Sequence, residues 1–218
     1  MEYLKHVEPA LLILLGWLLS LFTLVISERI RRPYRRRDLI RAVVDEMLGL
    51  QRTMAIVAYL VRARYAALPD AFLDKVLAIV EGCHGPDRDE NLIQALREFR
   101  GLPEGQRTAV CQARRKPNVG IALRQFAIPL FATQIADLPI CGLDFQRSVL
   151  KIRYDLDLYN QLVPYTQSLL ERTFDDLSPE NREALISNQE QGYREAGQRA
   201  GIIMEEIGEL RKRYGSAK

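Results

Sequence analysis

The chain has 218 residues, 48% of them hydrophobic and 27% charged, with 13 Gly and 10 Pro, a balance that excludes collagen, low-complexity sequence and intrinsic disorder. Its three Cys, at 83, 111 and 141, are too few and too scattered for a disulfide framework or a paired metal motif, and they fit a reducing compartment. The formal charge of +3 is small, so its placement along the chain decides what it means.

No charged residue occurs from Pro9 to Ser27, and Leu, Ile, Val, Phe and Trp17 dominate that run. Nineteen residues of helix rise roughly 28 Å, close to the thickness of a bilayer's hydrocarbon core and longer than a signal-peptide core. The run therefore reads as a transmembrane helix over 9–27, with a short extracytoplasmic N-terminus at 1–8. A cleaved signal would want positive charge before the apolar core, but Lys5 stands there between Glu2 and Glu8, and the arginines follow the core instead. The positive-inside rule then puts the C-terminal body in the cytoplasm, on the inner (plasma) membrane of a bacterium.

Residues 28–41 form an Arg-rich juxtamembrane segment with seven Arg against Glu28 and Asp38, a net of +5. That leaves 24 basic and 26 acidic residues elsewhere, which is no field for nucleic acid. Arg29, Arg31, Arg32, Arg35, Arg36 and Arg37 are the expected membrane-surface residues, each contributing about 1 kcal/mol near anionic headgroups. Arg114, Arg115 and Lys116 read as a solvated helix end.

Beyond the arginines, apolar residues recur every three or four positions and no period-two alternation is sustained, so the fold class is all-α. Residues 42–140 read as a bundle of short helices. Asp38 is a candidate cap for a first helix running to about Tyr65, with Ile40, Val43, Met47, Leu50, Met54, Val57 and Val61 inward, and Pro33 predicts a bend or break before it. Pro69 and Asp70 open a second helix that ends at Gly82 to Pro86. Leu92, Ile93, Leu96 and Phe99 mark a third, stopping near Gly101, and 103–115 a weak fourth. Asn118 caps a fifth, buried segment through Ile121, Leu123, Phe126, Ile128, Phe131 and Ile135, which Pro129 interrupts. A re-entrant membrane segment, or insertion of 126–140 into a bilayer, is the sharper and less favoured reading of it, because its apolar core is too short to span.

Residues 141–218 carry a heptad-like seam: Phe145, Val149, Ile152, Leu156, Tyr159, Val163, Thr166, Leu170 and Phe174, then Ile186, Gln189, Tyr193, Ala196, Ala200, Ile203, Ile207, Leu210 and Tyr214. Ser178-Pro179 marks a turn and a new helix start. The result is a long antiparallel, coiled-coil-like helical hairpin roughly 50 Å long. Its distal half, around Tyr159 to Tyr193, is the part expected to project, with Pro164 bending the first arm. Gly197, Gly201 and Gly208 share a face where another helix, internal or from a second chain, can approach closely. With Tyr159, Tyr165 and Tyr193 they are the partner-contact candidates.

Catalytic signatures are missing. There is no phosphate-binding glycine loop or nucleophile elbow, and His6 and His84 are the only histidines. Zinc on Cys83, His84, Cys111 and Cys141 would need adjacent ligands and two isolated ones. Asp155, Asp157 and Glu205 are the remaining metal candidates, although solvated helix faces show the same spacing. No catalytic residue and no cofactor is assigned. The expected function is a membrane-anchored adaptor or scaffold acting through the hairpin on an unidentified protein partner or a second copy. The alternative is an enzyme or ligand sensor using carboxylates and tyrosines between hairpin and bundle.

Overall fold

The computed structural model describes residues 2–83, 88–115 and 120–215, without the side chains of 2–13 and 24. They form α1 (Glu2–Arg64), α2 (Asp70–Glu81), α3 (Glu90–Gly101), α4 (Glu104–Arg114), α5 (Pro129–Gln134), a 3-10 helix (Ile135–Cys141), α6 (Leu143–Arg172) and α7 (Pro179–Tyr214), with no strand among the described residues. His84, Pro86, Lys116 and Asn118 lie outside them.

The frame is three long helices, with α7 packed against both α1 and α6. Its buried positions explain why. Ala196, Ala200, Ile203, Ile207 and Leu210 keep the predicted seam, while Gly192, Gly197 and Met204 widen it into a second inward face. Gly197 lies against Val61 of α1, and Gly192 against Thr166 of α6, both closer than a Cβ would allow. Polar ties reinforce the two contacts. Buried Gln51 donates from Nε2 to the Met204 carbonyl at 3.0 Å, and Arg199 pairs at 2.7 Å with Asp155, itself 4% exposed. The short helices α2 and α4 pack beside α1, α2 through Phe72, Leu73, Val76 and Val80, and α3 packs on α2 with Phe99 edge-to-face on Tyr59 of α1.

Three expectations are corrected. First, α1 is not broken at Pro33 and does not start at Asp38; it runs unbroken for 63 residues. Pro33 is exposed, so the Arg29 carbonyl that it deprives of a donor faces water, which satisfies it. Second, 120–128 is not helical. Ile128 precedes Pro129 and sits at φ −120°, ψ 78°, outside the helical region, as the proline ring demands.

The backbone of that segment finds its partners on α6. Asn160 accepts from the Phe126 amide at 2.9 Å and donates to the Phe126 carbonyl at 2.7 Å. Gln125 donates to the Asn160 carbonyl at 3.0 Å, the group left without a helical donor because residue 164 is proline.

Third, the distal half of the hairpin does not stand free. Tyr159 stacks on Phe126, and Tyr193 is 2% exposed with Gly120 against its hydroxyl. The seam also ends earlier than expected. Leu169 and Leu185 are buried in place of Leu170 and Ile186, and Phe174 in the turn is 79% exposed.

Among the described residues no helix is long and apolar enough to cross a membrane. The span placed at 9–27 includes 9–13 and 24, whose side chains fall outside that description. What is described from Leu14 to Ile30 is an exposed apolar helix: Leu14, Leu15, Trp17, Leu19, Phe22, Val25, Ile26 and Ile30 all lie on the surface.

Candidate functional site

Because α1 is continuous through Pro33, Arg29, Arg32, Arg36 and Ile40 fall at helical spacing on one face. That face becomes the core stripe one turn later, at Val43 and Met47. The end of α7 arrives against it, fixed by Tyr214 in edge-to-face contact with Phe145 at 5.0 Å. The juncture is a pocket of about 610 Å³ lined by Arg29, Arg32, Arg36, Arg37 and Arg213. Pro33, Ile40, Ile140 and Tyr214 supply its apolar walls.

None of the five arginines makes an ion pair among the described residues. Of the carboxylates around it, Asp137 accepts from Arg35 at 2.9 Å, Asp45 faces Arg41 and Glu209 holds Lys212 at 2.7 Å, while exposed Glu28 and Asp38 do not line the pocket. Arg31 is exposed and lies outside the pocket.

Compared with known proteins, the chain matches no family model, no curated protein and no solved structure.

A second feature lies on the outer face of α6. Leu143, Leu150, Tyr154 and Tyr165 are 68%, 45%, 62% and 50% exposed, and their steps of seven, four and eleven align them along one side of the helix. Beside the far end of this stripe, Leu158, Leu162 and Ile202 line a groove of about 440 Å³ between α6 and α7. Gly201 has open space where a Cβ would stand.

The partner-contact candidates therefore separate. Tyr165 and Gly201 face outward; Tyr159, Tyr193 and Gly197 are buried in contacts within the chain; Gly208 abuts Gln51. The Tyr159 hydroxyl has no partner among the described residues, and burial pushes its pKa up to about 12.

The carboxylates proposed for a metal do not converge. Asp155 pairs with Arg199, Asp157 with Arg153, and Glu205 with Lys75, and no group of three metal-ligating side chains occurs among the described residues. Cys83, Cys111 and Cys141 are free thiols.

Carboxylate and tyrosines do meet between hairpin and bundle, at Glu190. Arg64 pairs with it at 2.5 Å, and the single Tyr65 O–H is shared between its carboxylate and, at 2.9 Å, its backbone carbonyl. Burial alone would raise the Glu190 pKa, but the hydrogen bonds from Arg64 and Tyr65 outweigh it and hold the carboxyl below its ordinary range. Burial, with the bond to Glu190, lifts the Tyr65 phenol well above its own. The cluster ties the end of α1 to α7 and leaves no free base.

Sequence reasoning missed Arg213 and Leu150. Arg213 sits among ordinary basic residues of a last helical turn, and only the tertiary fold brings it to Arg36. Leu150 was legible as an apolar residue off the hairpin seam.

Proposed function

We propose that the chain is a membrane-anchored helical adaptor, held in a bacterial inner membrane by 9–27 with its body on the cytoplasmic side, and that it works through protein contacts along the outer face of α6. The observation that carries this reading is the division of one helix. The first half of α1 exposes Leu14, Leu15, Trp17, Leu19, Phe22, Val25, Ile26 and Ile30, with Trp17 65% and Phe22 61% exposed, whereas its second half, from Leu39 to Val61, supplies core residues. An unpartnered apolar helix of that length is costly in water and stable in lipid. Because the two halves form one rod, the anchor also holds the body at a set distance from the bilayer.

The arginines that follow the apolar run support the cytoplasmic orientation. The Leu150, Tyr154 and Tyr165 stripe supports a protein contact, since aromatic and aliphatic side chains of this kind anchor interface cores. The contact takes either another protein or a second copy of the chain.

A photo-crosslinking residue placed at Leu150 or Tyr154 in the full chain, in its own membranes, tests the reading. A discrete adduct from both positions and none from Gln94, exposed on α3, is expected, and an adduct of twice the chain mass identifies a second copy. Absence of any adduct along α6, or equal labelling from Gln94, contradicts the proposal.

A further inference from the structure

Five arginines and no carboxylate line the pocket at the foot of α1. Like charges gathered at one site repel, by about 1 kcal/mol for a pair 4 Å apart even in water, so such an arrangement is completed by an anion. Four of the five belong to the segment that follows the apolar helix. The fifth, Arg213, comes from the far end of the sequence and is delivered by the docking of α7.

We propose that this pocket binds the phosphate of an anionic lipid headgroup, with guanidinium forks from α1 and Arg213 donating to its oxygens. The source of the phosphate rests on the membrane reading above; the recognition chemistry is shared with a soluble phosphate. Two observations favour the lipid. Arg29 follows Ile26 by three residues, about 4.5 Å along the axis, and Arg36 by ten, about 15 Å; helical side chains lean back toward the N-terminus, so the bilayer side of the pocket is at headgroup depth if the exposed run lies in the bilayer. Pro33, which lies between Arg29 and Arg36 on the bilayer side of the pocket, gives the headgroup's glycerol an apolar wall, whereas a bare phosphate needs none.

A seated headgroup differs from diffuse attraction of an arginine collar to a charged surface. Diffuse attraction weighs arginines by their distance from the surface alone, and Arg31, nearer the apolar run than Arg36, counts at least as much as Arg36 or Arg213. The pocket makes the opposite assignment.

The test uses the full chain in mild detergent with equimolar phosphatidylglycerol and phosphatidylcholine, read by native mass spectrometry. One phosphatidylglycerol per chain is expected on the wild type and on Arg31→Gln. Retention should fall roughly tenfold in Arg213→Gln and in Arg36→Gln, the loss of one charge-assisted hydrogen bond, with Arg213→Lys in between because it keeps the charge and loses the fork. Circular dichroism melts check that these variants remain folded.

Equal retention of the two lipids, or equal losses in Arg31→Gln and Arg213→Gln, overturns the proposal. Displacement of the lipid by excess inorganic phosphate overturns the lipid source. Failure of the anchor itself would show separately, as a water-exposed Trp17 in phosphatidylcholine vesicles while phosphate binding in the pocket persists.

Discussion

Two glycines one turn apart on α7 should respond in opposite directions to the same substitution. A Cβ built on Gly197 lies 2.5 Å from Val61 Cγ1 and 2.7 Å from Val61 Cβ, whereas one on Gly201 meets nothing within 4 Å. Val61 is 3% exposed and β-branched in a helix, so it has essentially one rotamer and its Cβ cannot swing away. For Gly197→Ala the helices must part. Overpacking of this kind costs about 1–3 kcal/mol, against a gain of about 1 kcal/mol from replacing glycine inside a helix.

Gly201→Ala keeps the gain and incurs no clash. The variants should therefore differ by about 1–3 kcal/mol, which for a chain of this size is several degrees in Tm at roughly 2–4 °C per kcal/mol. Thermal unfolding of the full chain in detergent, followed by circular dichroism, reads the difference. A double-mutant cycle with Val61→Ala locates its cause: the Gly197→Ala penalty should shrink when Val61 is cut back, and the Gly201→Ala effect should not change. Equal melting temperatures for the two glycine variants would refute the close α1–α7 crossing.

Other perturbations follow from the polar ties. Glu190→Gln should cost about 2 kcal/mol, because it leaves the half-buried Arg64 guanidinium without its carboxylate. The sign of the pH effect is set by the depressed pKa of Glu190: its stabilisation is complete above the unfolded-state value of about 4.3 and is lost as pH falls through the lower folded value. Acid unfolding curves of the variant should accordingly be flatter at low pH, and unchanged curves would remove Glu190 from the account. Asn160→Ala deletes both bonds to Phe126 and should loosen 120–128, read as faster tryptic cleavage after exposed Arg124 with little loss of overall helicity. Cleavage at the wild-type rate would show that Asn160 does not hold the segment.

Much of this architecture was legible because helical periodicity survives without tertiary information. The stripe from Ile40 to Val61 and the seam from Phe145 to Thr166 are buried as the three-and-four spacing required. The misreadings share one cause: a local signal was outweighed by contacts distant in sequence. Pro33 predicts a break, but at an exposed position hydration satisfies the carbonyl left over, so α1 continues. The apolar run from Ile121 to Ile128 has helical spacing, yet Pro129 pushes Ile128 out of the helical region and Asn160 and Gln125 offer the backbone other partners. The pocket arginines on α1 were visible as charge, but their assembly with Arg213 depends on where α7 ends against α1. Of the tyrosines, burial rather than type separates internal Tyr159 and Tyr193 from outward Tyr154 and Tyr165.

The central claim, that the first half of α1 lies in lipid, can be read from the protein's only tryptophan, Trp17. The unlabelled full chain, reconstituted in phosphatidylcholine vesicles, should show blue-shifted Trp17 emission that is strongly quenched by lipids brominated along the acyl chain and barely quenched by aqueous iodide. Emission like that of tryptophan in water, quenched by iodide and indifferent to brominated lipid, would contradict the account.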